Sequence, residues 1–254
     1  MAKLIDTHCH PYFGHYDEDR EEMLRRAFEV CEYVISVGSD TNESKKSIEL
    51  ATEHPNIFAS VGIHPHAAET CDPNHLKDLL TKPKVVAIGE CGLDFKPYGN
   101  QDINKDPQKN VFKAQINLAN QANLPVIIHA RDCWEDLLPL LKETPPRSGL
   151  IHSWTGGLKE ANEIISLGLH ISFSGMITYP ANHHIRDVAV MAPADKILVE
   201  TDAPFLPPQG LRGQRNEPGN VKMIASVLAE IRGVTLEEIS AVTTANAKRL
   251  FKLS

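Results

Sequence analysis

His8 and His10 close the apolar run Lys3-Leu4-Ile5-Asp6-Thr7-His8-Cys9-His10. Side chains in a strand alternate faces with period two, so a His-x-His pair presents two imidazoles to one side, where they can grip one metal ion. Two imidazoles are not a complete site. Further ligand types stand just after later apolar runs: His64, Glu90, His129, His152 and Asp202. Four imidazoles (His8, His10, His129, His152) with Glu90 and Asp202 exceed the needs of one tetrahedral ion but suit two divalent ions sharing a carboxylate. Glu90 is the candidate bridge, one oxygen to each ion. Metals paired about 3.5–4 Å apart acidify a shared water and clamp the attacking and leaving oxygens of an in-line displacement. That chemistry hydrolyses esters, phosphoesters or amides. Asp202 is then the candidate general base. A mixed histidine and carboxylate set accepts Mg, Mn or Zn.

The elements that must position these groups are legible as an unbroken alternation. Apolar, β-branched runs at 3–10, 33–37, 57–63, 85–88, 125–129, 150–153, 170–174 and 197–200 read as strands. Each is followed by a stretch of helical period, a short one at 75–80 after the third. Strands apolar on both faces are what a closed parallel sheet requires. The expectation is an α/β fold, a (β/α)8 TIM barrel with an extra C-terminal helix over Leu236–Phe251 packed on the outside. In such a barrel the C-terminal strand ends converge on one mouth, and every candidate ligand lies at one. A doubly wound sheet usually opens with a Gly-rich phosphate turn, which is missing after the first run. No linker divides the chain, so a single domain over residues 1–254 is expected. The loop-like stretch 203–219 is the longest, and loops of that length are often functional.

Composition narrows the class. With 254 residues, 42% hydrophobic and 23% charged, the chain reads as soluble and globular. A formal net charge of -7 argues against non-specific coating of nucleic acid. Five scattered cysteines without a C-x-x-C pair suit free thiols in a reducing cytoplasm. No charged-then-apolar leader opens the chain, and no apolar run approaches the roughly 18 residues of a membrane span.

The motifs Asp6-Thr7-His8-Cys9-His10, Gly62-Ile63-His64-Pro65-His66, Gly89-Glu90-Cys91-Gly92-Leu93-Asp94, Pro125-Val126-Ile127-Ile128-His129, Glu200-Thr201-Asp202-Ala203-Pro204 and Arg212-Gly213-Gln214-Arg215-Asn216-Glu217-Pro218 stand in one order. In that order and spacing the chain closely resembles the TatD family of metal-dependent deoxyribonucleases, from Leu4 to Phe251. The resemblance implies a TIM barrel of the amidohydrolase superfamily that hydrolyses DNA phosphodiesters at a divalent-metal centre. It implies His8, His10 and Asp202 on one ion, His129 and His152 on the other, Glu90 between them, and His64 as a phosphate or supporting group. Two departures stand out. Ser153 and Trp154 replace the Cys and Phe that relatives often carry, and the connection 96–107 is longer than usual.

Arg212 and Arg215 in the long loop are candidate phosphate contacts, because a guanidinium fork matches phosphate oxygens; both can equally be solvated loop charges. Arg131, two residues past His129, has the same standing, with Asp132 or Asp136 as alternative partners. Trp154 can stack on a base or pack in the wall. Asp6, expected on the face of His8 and His10, and Glu200 are candidates for orienting a ligand. His15, His54, His75, His170, His183 and His184 are expected at the surface, and Cys9 and Cys91 on the face away from the ligands. The function expected is a metal-dependent deoxyribonuclease, an exonuclease on single-stranded or frayed DNA. The alternative is a small-molecule hydrolase of an ester, lactone, amide or nucleobase on the same two-metal site. A third reading is a catalytically silent scaffold, against which the complete ligand set speaks. The arginine loop favours the nuclease, as does the lack of a lysine at the end of the fourth strand, where a carboxylated lysine bridges metals in many related hydrolases. A monomer is compatible with these features.

Overall fold

A computed structural model describes residues 3–97 and 103–254. Its strands are β1 (Leu4–Cys9), β2 (Cys31–Val37), β3 (Ile57–Val61), β4 (Val85–Asp94), β5 (Val126–Arg131), β6 (Gly149–Ile151), β7 (His170–Phe173) and β8 (Ile197–Val199). They pair in parallel and in chain order. The first and last strands meet just past their ends. The His10 amide donates to Ala203 O at 2.7 Å and the Asp202 amide to His8 O at 2.8 Å. Helices α1 (Arg20–Val30), α2 (Thr41–Glu53), α3 (Lys105–Ala122), α4 (Trp134–Glu143), α5 (Leu158–Ser166), α6 (His183–Met191) and α7 (Val221–Arg232) cover the sheet, and α8 (Leu236–Phe251) comes after them. The architecture is a (β/α)8 TIM barrel.

The third unit departs from expectation. In place of a helix at 75–80 it has short 3-10 turns at Pro65–Ala67 and Pro73–Leu76. Between Pro73 and Pro83, Leu76, Leu79 and Leu80 form the whole apolar face, too little to fix a short helix that cannot hold itself in water. Residues 98–102 of the long connection lie outside the described residues; its end is already the first turn of α3.

Two apolar layers hold the barrel. Leu4, Cys9, Ile88, Cys91, Val126, Ile128, Ile151, Ile171, Phe173 and Val199 face the helices. Ile5, Ile35, Val37, Ala87, Ile127, Leu150 and Leu198 meet in the interior, joined by Ala247, Leu250 and Phe251 of α8. So α8 does not merely pack on the outside: its last turns cap the barrel interior. Its start is fixed by a reciprocal box, with Thr235 Oγ1 accepting from the Glu238 amide and Glu238 Oε2 from the Thr235 amide.

Strict alternation would put Leu4 and Cys9 on opposite faces, yet both lie in the helix-facing layer. The register against β2 slips between Asp6 and Cys9, and the register of β4 against β5 slips between Ile88 and Cys91. Each slip is an extra residue that resets the parity of the residues beyond it, the usual device for re-aiming a side chain at a site. The slips stand just before His8 and His10, and at Glu90. Among the described residues no helix is long and apolar enough to cross a membrane.

Candidate metal centre

The slip in β1 turns His8 and His10 into the barrel mouth, their Nε2 atoms 3.3 Å apart. Glu90 Oε2 is 3.5 Å from His8 Nε2 and 3.9 Å from His10 Nε2. Asp202 Oδ1 completes this group at 3.5 Å and 3.6 Å from the same two nitrogens. The other carboxylate oxygen, Glu90 Oε1, faces a second group. It lies 2.7 Å from His129 Nδ1, 2.8 Å from His152 Nε2 and 3.6 Å from His64 Nε2. Thus the six expected ligands and His64 do come together, with Glu90 between two sets.

Where the far side of a ring has a partner, it decides what the near side can offer; His8 Nδ1 is buried without one among the described residues. His10 Nδ1 donates to Val37 O at 2.7 Å, which leaves the Nε2 lone pair toward the carboxylates. His152 Nδ1 lies 3.3 Å from Glu200 Oε1, and His129 Nε2 lies 3.4 Å from Asp94 Oδ2. An imidazole whose outer nitrogen is held by a carbonyl or carboxylate is oriented and made more basic, the arrangement found around metal-bound histidines. His64 is turned the other way: its Nδ1 accepts from the His66 amide at 3.2 Å. The ring proton then sits on Nε2, so His64 faces the cavity as a donor.

Charge at this depth must be balanced. Burial alone would raise the Glu90 carboxyl, but the imidazoles of His152, His64 and His8 and the His129 hydrogen bond hold it well below its usual range. Burial disfavours protonated His152, yet Glu90 and Glu200 lift it well above an ordinary histidine. Burial likewise opposes, and carboxylate neighbours outweigh it at, His10 (Asp202) and His129 (Asp94 and Glu90). For His8, burial and the His152 charge prevail and its pKa falls. Burial also drives His64 down to about 3. Ring nitrogens and carboxylate oxygens packed around Glu90 fit a divalent cation, which would replace the protons on these rings. Among the described residues three sets are close enough to share an ion: His8, His10 and Glu90; His8, His152 and Glu200; and His64, Glu90 and His129, from which the proton on His64 Nε2 withdraws that ring.

Residues 5–252 match the family profile described as TatD related DNase. The chain belongs to this TatD-related family. It is 41% identical over 257 residues to the uncharacterized metal-dependent hydrolase YabD of Bacillus subtilis, covering 99% of this chain and 100% of the relative. It is 34% identical over 252 residues to the 3'-5' ssDNA/RNA exonuclease TatD of Erwinia tasmaniensis, covering 94% and 95%. The crystal structure of YjjV, a TatD homologue from Escherichia coli K12, matches with a TM-score of 0.94 at 33% identity, covering 100% and 99%. The family is one of metal-dependent hydrolases.

In this TatD-family chain the remaining expectations fare unevenly. The cavity over the centre, about 500 Å³, is lined by His64, Arg131, Thr155 and Phe205 among others. Arg212 and Arg215 do not line it. Arg215 spends its guanidinium on both Asp19 oxygens at 2.7 Å, on Glu217 and on His15 O, tying the long loop back to the segment after β1. Arg212 is exposed and lies over Tyr179 at 5.0 Å. Trp154 is core: sealed against Trp134, it donates to Gly156 O. Asp6 does not share the face of His8 and His10, because the slip intervenes. It accepts from the His8 and Thr201 amides, and burial lifts its pKa to about 8. Glu200 does orient a ligand candidate, His152. Among the histidines expected at the surface, His170 is buried.

Two cavity residues escaped the sequence reading, Asp94 and His66. Their side chains meet at 3.1 Å. Burial would raise the Asp94 carboxyl, but the His129 hydrogen bond and the Lys96 amide bring it to about 2. The signal was the length of β4, which runs to Asp94 rather than stopping at 88. Past the slip, Glu90, Gly92 and Asp94 share one face.

Proposed function

We propose that this chain is a metal-dependent nuclease that removes nucleotides from an end of single-stranded DNA by hydrolysing phosphodiester bonds. The observation that carries the reading is Glu90 itself, with one oxygen facing His8, His10 and Asp202 and the other facing His129 and His152, at the floor of an open cavity. His8, His10 and Asp202 would hold one divalent ion, His129 and His152 a second, and Glu90 both; Mg, Mn or Zn suits this set. When bound, the pair would acidify a water and offset charge on the phosphoryl oxygens.

The chain's own groups supply the rest. Asp202 holds a carboxylate at the cavity, below its usual range because His10 and His8 outweigh the cost of burial, so it is ionised to take the proton of the attacking water. His64 Nε2–H and Arg131 face the same space and would donate to the phosphoryl oxygens. A cavity of small-ligand size admits one terminal nucleotide rather than a duplex, which favours attack at an end. The name of the Erwinia relative adds 3'-5' polarity as the expected direction.

One observation favours a second reading. With Arg212 and Arg215 outside the cavity, fewer cations face a phosphate than the loop motif suggested, and a small-molecule ester, lactone or amide could occupy the same space. The test is an end-labelled single-stranded DNA oligomer with Mg or Mn added or chelated, and wild type against Asp202→Asn. A ladder that needs metal and drops about 100- to 10,000-fold in the variant supports the nuclease. Intact DNA beside metal-dependent hydrolysis of a lactone or simple ester assigns the centre to the second class.

A further inference from the structure

Phe205 lies three residues past Asp202 and belongs to none of the apolar clusters; 45% of it is exposed. It is not alone. Phe13 and His15, in the segment after β1, place their rings about it, with centroids 6.0 Å from Phe205 in both cases and both crossing edge to face at 75°. Phe13 in turn stacks on the ligand candidate His10, 4.9 Å away and 14° from parallel. A run of aromatic rings therefore leads from the metal centre outward to solvent.

The Phe205 backbone is fixed although its ring is bare. Its amide donates to Asp202 O at 2.8 Å, and its carbonyl accepts from Asn216 Nδ2 at 2.7 Å. Asn216 is fully buried and also donates to Thr201 O, so one side chain from the RGQRNEP loop holds both flanks of Asp202. Phe205 also borders two cavities, the one of about 500 Å³ and a second of about 350 Å³ whose lining sets Phe13 beside His10, His64, His66, Asp40 and Glu43. The aromatic rim accepts a flat neutral ring. An apolar surface held rigid before any ligand arrives loses little entropy on binding.

We propose that Phe205, backed by Phe13 and His15, is the platform on which the base of the terminal nucleotide stacks while its phosphodiester lies over Glu90. Such a contact serves any base, because every base has a π-face. The proposal rests on the nuclease reading and adds to it a base-binding subsite and the residue that forms it.

The experiment crosses enzyme with substrate. Single-stranded oligomers carrying either a normal nucleotide or an abasic residue at the attacked end are given to wild type, Phe205→Ala, Phe205→Leu and Phe205→Trp. Phe205→Ala is expected to lower kcat/KM on the normal end roughly 5- to 150-fold, mostly through KM, with a much smaller loss on the abasic end. Phe205→Trp keeps the π-face and stays near wild type; Phe205→Leu keeps bulk without it and behaves like the alanine variant. Equal losses on both ends, or a leucine variant as good as wild type, overturn the platform while the nuclease stands. Wild type that leaves both oligomers intact overturns the nuclease reading and the platform with it.

Discussion

Glu200 Oε1 lies 3.3 Å from His152 Nδ1 and accepts the Ser153 amide at 2.6 Å, with all three groups buried in the barrel. This contact turns His152 Nε2 toward Glu90. Glu200→Ala removes the acceptor, so the ring can rotate or carry its proton on the wrong nitrogen. Metal affinity is expected to fall about 10- to 100-fold. Competition against a chromogenic chelator reads it directly, and Glu200→Gln, which keeps an oxygen for both donors, is expected to fall between. Unchanged affinity in the alanine variant would show that His152 orients itself.

The crowd of ring nitrogens and carboxylate oxygens around Glu90 would make a bound cation part of the folded state. Chelator-stripped protein should therefore melt lower than protein loaded with Mn or Zn. At free metal about 100 times Kd the gain is about 2.7 kcal/mol, or about 5–10 °C in a chain of this size. Calorimetry with and without chelator measures it. Because a cation must displace protons from His10, His129 and His152, the gain should grow as pH rises from 6 to 8. Identical melts in the two states would remove the metal centre from the account.

Much of this site was legible before any coordinates, because ligand chemistry and strand order are written locally. A His-x-His pair, a Glu and an Asp after apolar runs need only barrel closure to converge. What escaped depended on non-local geometry. The slip in β1 moves Asp6 off the His8 face, which period-two alternation does not dictate, and β4 runs on past Ile88 to bring Asp94 to the cavity on the face of Glu90. Arg215 looked like a phosphate fork because its type fits one; only the chain's return to Asp19, 196 residues away, reveals its other partner. Phe205 looked like any apolar loop residue until its exposure and its aromatic neighbours were known.

Gly92 pairs with His129 between Glu90 and Asp94, at φ +142. A methyl group there would sit 2.1 Å from His129 O and 2.9 Å from His129 N, atoms of a paired strand that cannot swing aside. Gly92→Ala thus combines a disfavoured backbone with a backbone clash. The expected cost is about 3 kcal/mol or more, seen as a fall in Tm of roughly 6–12 °C or as insoluble protein. Metal affinity should drop with it, since His129 must shift. A Tm within about two degrees of wild type, by calorimetry, would mean that β4 and β5 part more easily than their pairing implies.

His170 points its Nδ1 at Gly149 O, 3.3 Å away, and is only 8% exposed. Burial first, then the Lys196 charge, hold its pKa down to about 4. In the unfolded chain a histidine titrates near 6.5. As pH falls from about 6.5 to about 4, the unfolded chain takes up a proton that the native state refuses, so stability is lost through that window. Below about 4 both states are protonated and the loss is complete, no more than about 3 kcal/mol. His170→Asn keeps a donor for Gly149 O but does not titrate. Urea unfolding of both proteins in chelator, from pH 7.5 to 4, should show the variant gaining on wild type by up to that amount as the medium becomes acidic. Curves that stay parallel would mean that His170 is protonated within the fold.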